Sequence, residues 1–257
     1  MMRSIFVLIL LFLSCRYRYN FGIYVPLENG LLYTYTSRYV DNGDYESPDG
    51  KNYRPDTLFI LGDTNYMGIK AKKVYVRKQN ADFVSRDTSI YYILGDTLFA
   101  RGKLSSLMVP FFRFNYGGAP YIGEPIYSDT FITSRLLRIT ANVGESWKVG
   151  EFSGEIRIYR EGFGDVPDSV REYSVNGKFE GKLEGFEDLD LPVGKTEKCA
   201  LVVYDLYIVI SSIPVEIEAF RTWWCPNVGQ SAYMMTASQF RTERKIRMEL
   251  AELEVLR

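Results

Sequence analysis

From Leu31 onward, turn-forming residues recur every eight to fifteen positions, and between them the chain either alternates apolar with polar side chains or runs apolar for short lengths. A strand sends successive side chains to opposite faces, whereas a helix needs apolar residues three and four apart over ten or more. The spacing therefore predicts a mainly β domain, an antiparallel meander with little helix. Strands are expected near residues 31–40, 57–61, 66–77, 88–94, 98–101, 131–141, 147–159, 170–182, 198–210, 215–224, 230–235 and 244–255. Twenty tyrosines, a residue favoured in strands, agree with that reading. The proline-, glycine- and acid-rich stretch 40–55 reads as a loop, and so does 116–125, which contains Gly117-Gly118-Ala119-Pro120. The last segment is ambiguous: Ile246, Leu250, Leu253 and Leu256 are spaced as on a helix, Ile246, Met248 and Leu250 as on a strand. Propensity alone favours the helix.

Two internal echoes bear on organisation. Ile60-Leu61-Gly62-Asp63-Thr64 returns as Ile93-Leu94-Gly95-Asp96-Thr97, and each Gly-Asp pair suits a tight hairpin turn. A glycine followed three residues later by an aromatic opens both Gly30–Tyr33 and Gly144–Trp147. The second echo would divide the domain into halves meeting near Ala141.

The start of the chain has another character. Arg3 precedes an unbroken apolar run at residues 5–13, then Ser14, Cys15, Arg16. A charged start, a short apolar stretch and a small residue before the cut are the layout of a secretory signal peptide. Nine apolar residues fall well short of the roughly 20 that span a bilayer. Phe12-Leu13-Ser14-Cys15 resembles the bacterial lipobox, with Phe12 where leucine is usual. That resemblance implies cleavage ahead of Cys15 and acyl chains on its thiol. The expected organisation is a signal peptide at 1–14, a lipidated linker at 15–30 and a β domain at 31–257. Membrane lipid is then the first partner, through the anchor. The location is the cell envelope, facing the periplasm or exterior, and Arg16 in place of a retaining aspartate favours an outer membrane.

Lipid on Cys15 would leave Cys199 and Cys225 as an even pair. If Ser211-Ser212-Ile213 links two strands, Ile210 faces Pro214 and Cys199 faces Cys225. The pair is then either a disulfide across the hairpin or two buried thiols of a reducing compartment, and export favours the disulfide. The same register makes Asp205 and Arg221 diagonal neighbours. Trp223 and Trp224 point to opposite faces. Both can pack in cores; one left exposed would be the best candidate for a ligand contact.

Histidine is absent, which removes Ser-His-Asp, Cys-His and histidine-based zinc chemistry, and no catalytic or metal-binding residues are assigned. A net charge of −1 excludes the basic stripe of a nucleic-acid binder. No cofactor motif is present. One chemistry needs no histidine: a carboxylate-dependent hydrolase could draw on Glu184, Glu187, Asp188 and Asp190. The other reading of that cluster is a solvated acidic turn.

Three stretches together resemble a group of bacterial lipoproteins of unknown function. Tyr24-Val25-Pro26-Leu27-Glu28-Asn29-Gly30-Leu31-Leu32-Tyr33-Thr34-Tyr35 is similar to their opening phrase, with Tyr33 in a tryptophan's place. Leu191-Pro192-Val193-Gly194 leading to Cys199-Ala200-Leu201-Val202 is similar to a second, and Trp223-Trp224-Cys225-Pro226-Asn227-Val228-Gly229 to a third. The resemblance implies a large curved antiparallel sheet or partly open barrel, a strand at the C-terminal segment, and no catalytic residues. The expected activity is non-enzymatic: an apolar ligand or an envelope partner held on the sheet.

Overall fold

The alternating stretches become fifteen strands of one antiparallel sheet in the computed structural model, which describes residues 24–41, 44–46, 56–79, 84–103, 112–116, 119–126, 131–160, 169–235 and 245–256. The first part of the chain supplies β1 (Leu31–Asp41), β2 (Asp44–Glu46), β3 (Asp56–Tyr66), β4 (Ile69–Gln79), β5 (Val84–Leu94), β6 (Thr97–Lys103), β7 (Phe112–Tyr116), β8 (Ala119–Ile126) and β9 (Phe131–Arg138). The second supplies β10 (Ser146–Arg160), β11 (Ser169–Leu191), β12 (Gly194–Ile210), β13 (Ile213–Cys225), β14 (Gly229–Met235) and β15 (Lys245–Val255). Side by side, β10 to β15 follow chain order; β15 then pairs with β1, and β3, β4, β5, β6 and β9 complete the circuit. The sheet curls until β9 meets the first half of β10. Across that seam the Trp147 indole donates to the Arg135 carbonyl at 3.0 Å, and a Cβ on Gly150 would stand 3.3 Å from the Thr133 carbonyl oxygen. The second half of β10 pairs instead with β8, and β8 with β7. The expected mainly β, curved or partly open barrel is thus the observed fold, with Ala141 in the link at its seam.

The inward side chains form a continuous core that includes Tyr35, Ile60, Leu98, Ile156, Tyr204 and Trp224, all buried. A second, smaller cluster lies on the outer face. There β11 and β12 overshoot the barrel and their hairpin bends across β13 to β15, where the Val193 N–H donates to the Leu250 carbonyl at 3.3 Å. Leu189 and Leu191 of the hairpin pack on Trp223 and Ala232. This two-sided cover explains why Cys199-Ala200-Leu201-Val202-Val203-Tyr204 is buried without alternation.

The ambiguous last segment is the expected strand: β1 on one side and β14 on the other satisfy the backbone of residues 245–255, an arrangement that outweighs helix propensity. Several other local readings are corrected. Gly95-Asp96 is a hairpin turn, but Gly62-Asp63 sits inside β3 beside a bulge, and the turn comes later at Met67-Gly68. Within the expected loop 116–125, residues 119–125 belong to β8; its prolines lie near the sheet margin, where a missing N–H costs little. The acidic stretch 184–190 continues β11 rather than turning. Finally, the β12–β13 link has two residues, not three. Ser211 and Ser212 both take left-handed φ, of 47° and 73°, and Ile210 faces Ile213. A bulge at Ala219, between the Tyr204 and Asp205 pairings, then adds one residue to β13 and restores the expected register beyond it. Arg221 bridges to Glu184 at 3.4 Å.

Candidate functional site

The three motif stretches, far apart in sequence, meet at one end of the barrel. Tyr24 and Val25 are buried in its mouth. The Tyr24 hydroxyl donates to the Lys198 carbonyl at 3.4 Å, that of Tyr33 to the Pro26 carbonyl at 3.3 Å, and that of Tyr35 to the Gln230 carbonyl at 2.9 Å. Gly229, at φ 91°, could carry no side chain here: a Cβ would stand 3.2 Å from the Tyr33 hydroxyl oxygen and 3.3 Å from Pro26 Cδ. Residues 24–27 therefore plug the barrel at the end where the described chain begins. Cys15 and the expected signal peptide lie outside the described residues.

Beneath the plug is a cavity of about 20 Å³, lined by Leu27, Tyr33, Ile60, Tyr91, Trp224 and Gln230 among others. A second, of about 10 Å³, touches Tyr24, Leu137, Leu183, Phe186 and Ala200. A single water needs some 10–15 Å³. At this end the concavity is filled by the chain's own apolar side chains.

Trp223 and Trp224 do point to opposite faces, but both are buried, so neither is the exposed contact that sequence allowed for. Trp224 belongs to the inner core and donates its indole N–H to Thr222 Oγ1 at 2.9 Å. Trp223 lies in the outer cluster, donates to Glu187 Oε2 at 2.8 Å, and carries the Arg247 guanidinium 4.5 Å above its ring. Arg247 also pairs with Glu249 at 3.1 Å, an ion pair buried between hairpin and sheet. Cys199 and Cys225 form a disulfide with Cα atoms 4.0 Å apart, and Thr196 Oγ1 stands 3.3 and 3.4 Å from the two sulfurs.

The acidic stretch resolves into separate tasks. Glu184 bridges to Arg221, Glu187 accepts from Trp223, and Asp188 accepts the Lys198 N–H at 2.9 Å. These carboxylates brace an exposed hairpin. Among the described residues no three His, Cys, Asp or Glu side chains converge as metal ligands would.

Sequence reasoning overlooked one buried polar group. Asp56, cross-strand from Tyr35, faces inward and accepts a hydrogen bond from the Tyr233 hydroxyl. Burial, then the charge of Asp56, holds the Tyr233 phenol well above its ordinary pKa; burial does the same for Tyr35. Tyr91 is pushed up to about 12 by burial alone. These phenols stay protonated near neutrality; Tyr35 donates to the backbone and Tyr233 to Asp56. The only sequence sign was an aspartate in phase with the apolar positions of β3.

No family model and no curated protein matches the chain. Two solved structures are similar to it in fold. One, a protein described as exported and of YmcC-like fold from Bacteroides fragilis, is 11% identical over 90% of this chain and 99% of its own, with a TM-score of 0.47. The other, described as a lipoprotein from Parabacteroides distasonis, is 12% identical over 90% of this chain and 98% of its own, with a TM-score of 0.49.

Proposed function

We propose that this chain is exported, cut ahead of Cys15 and held to a membrane of the cell envelope by acyl chains on that thiol. It acts without catalysis, holding an apolar ligand or a partner protein at the barrel end away from its anchor. The observation that carries the reading is the plug. Residues 24–27 fill the near end, so whatever the sheet holds must enter elsewhere. The strand ends that flank residues 47–55, 104–111, 161–168 and 236–244, stretches of eight or nine residues each, lie on the far side, whereas the described near side has mostly two- and three-residue turns. Longer connections on a rigid scaffold are where binding residues concentrate. One of them, Leu104-Ser105-Ser106-Leu107-Met108-Val109-Pro110-Phe111, is apolar.

Catalysis is disfavoured by the absence of histidine and by the structural tasks of the acidic hairpin. The disulfide accords with an oxidising compartment. Two measurements test the proposal. Cys15→Ser should release the protein into the soluble fraction or leave the precursor uncut; normal cleavage with unchanged membrane attachment overturns the anchor. An apolar fluorescent probe should bind the full chain and lose most of its affinity when residues 104–111 are replaced by a glycine-serine segment of equal length. Absent or unchanged binding removes the ligand reading.

A further inference from the structure

We propose that the anchor-side rim of the barrel rests in the surface layer of a phospholipid bilayer, with Met67, Leu94, Val143 and Leu256 set among the headgroups and first methylenes. The inference rests on the lipid anchor at Cys15 and adds an orientation to it.

These four side chains are exposed by 84, 54, 60 and 47% respectively. Single apolar side chains at a surface need no explanation. Here they lie in the β3–β4 turn, at the end of β5, in the β9–β10 link and just after β15, all on one rim. Backbone bonds join neighbouring parts of that rim: Ile139 N–H to the Asp96 carbonyl at 3.0 Å, Gly30 N–H to Ile60 at 2.9 Å, and Leu256 N–H to Gly30 at 2.8 Å. Phe186, 42% exposed, continues the patch beside Tyr24.

Met67 is the sharpest case. With Gly68 it forms a two-residue turn in which both φ are positive, 51° and 81°. Such turns favour asparagine or aspartate at the first position, for backbone reasons and for water. Methionine serves neither end, and a lipid surface accounts for it.

Around Met67, Leu94 and Val143 charges of opposite sign pair: Lys72 with Asp63 at 2.6 Å, and Arg138 with both Asp96 and Glu145. Beside Leu256, Glu252 and Glu254 share a side-chain hydrogen bond. The rim thus approaches headgroups with charges of both signs, compatible with a zwitterionic surface.

The occupant follows from the chain upstream of the plug. Tyr24 is nine residues from Cys15. Fully extended, nine residues reach about 30 Å. An acylated Cys15 therefore keeps this end of the barrel at the membrane, while Val209 at the other end stands about 35 Å further along β12. The intervening sequence, Arg16-Tyr17-Arg18-Tyr19-Asn20-Phe21, is of the residue types that favour the interface between lipid and water.

The test uses the lipidated full chain in phosphatidylcholine vesicles. With Cys15 acylated and Cys199 bonded to Cys225, a Met67→Cys variant offers one reactive thiol for an environment-sensitive fluorophore. Val143→Cys is a second position, and Val209→Cys, equally surface-placed, is the reference. After flotation, labels at 67 and 143 should emit to the blue of their values in water and be quenched several-fold more than the label at 209 by nitroxide lipids in the bilayer. Flotation with labels at 67 and 143 still in water, or with all three quenched alike, overturns the docking while leaving the anchor intact. Failure to float overturns the anchor, and the docking with it.

Discussion

Trp223 and Trp224 are adjacent in sequence and equally buried, yet they belong to different structures. Trp224 is one of many large side chains in a core closed on every side by the barrel. Trp223 is the centre of a small outer cluster that exists only because one hairpin folds back over the sheet, fastened by a disulfide, a hydrogen bond to Glu187 and the Arg247 guanidinium. The inner core depends on shape; the outer one depends on attachments. The two should respond to different insults.

Truncation separates them most strongly. Trp224→Ala leaves a void that the surrounding strands cannot close, and should cost about 4 kcal/mol in denaturant unfolding. Trp223→Ala should cost roughly half as much, because the hairpin above it can settle into the space. Equal losses would mean that the hairpin is as rigid as the barrel.

Disulfide removal addresses the outer cluster. Cys199 and Cys225 close a loop of 26 residues, and their joint replacement by alanine should lower stability by about 3 kcal/mol. The loss should be matched by treating the native protein with a reductant. Hydrogen exchange should quicken first in residues 186–198, with the barrel amides following only at global unfolding. Uniform quickening would show that the two cores are one cooperative unit.

Alkali addresses the inner core, where the buried tyrosines lie. Tyr91 ionises at about 12 in the folded chain and near 10 when unfolded. Its contribution is complete below pH 10, declines as the unfolded phenol ionises, and is lost by pH 12, a difference of about 3 kcal/mol. Tyr33, Tyr35, Tyr204 and Tyr233 are shifted in the same direction. Near-ultraviolet circular dichroism should therefore report cooperative unfolding between pH 10 and 12, and Tyr91→Phe should move the transition upward. A tyrosinate absorbance rise at pH 10 without loss of structure would contradict the burial.

Most of the meander was legible because period-two alternation is a local property: β1, β9, β10 and β14 lie within a few residues of where the spacing put them. What was ambiguous or misread has non-local causes. Propensity alone pulled Lys245–Val255 toward helix, and the two flanking partners that make it the expected strand are not visible in its own sequence. The turn expected at Gly62-Asp63 was misplaced because β4 reaches far enough to hold β3 straight past residue 63. The cysteine pairing was reached with a wrong turn length, and the bulge at Ala219 compensated for it. At the site, the motif residues were visible but their meeting place was not. Tyr24, Pro26, Lys198 and Gly229 acquire a common purpose only when the barrel closes.

That closure has its own order in time. β1 completes its pairing only with β15, more than two hundred residues later, and Gly30 fits beneath Leu256 because it has no side chain: a Cβ there would stand 2.2 Å from the Leu256 carbonyl oxygen. Contacts so remote in sequence make folding slow and late. During synthesis, one edge of the first strand must wait, with Tyr33 and Tyr35 bare, until the last strand has emerged. Such a waiting edge is an invitation to mispairing. The export and anchoring proposed above would suit a chain built in this way: it would cross a membrane as a single unfolded thread, with its other end already tethered when the last strand arrives.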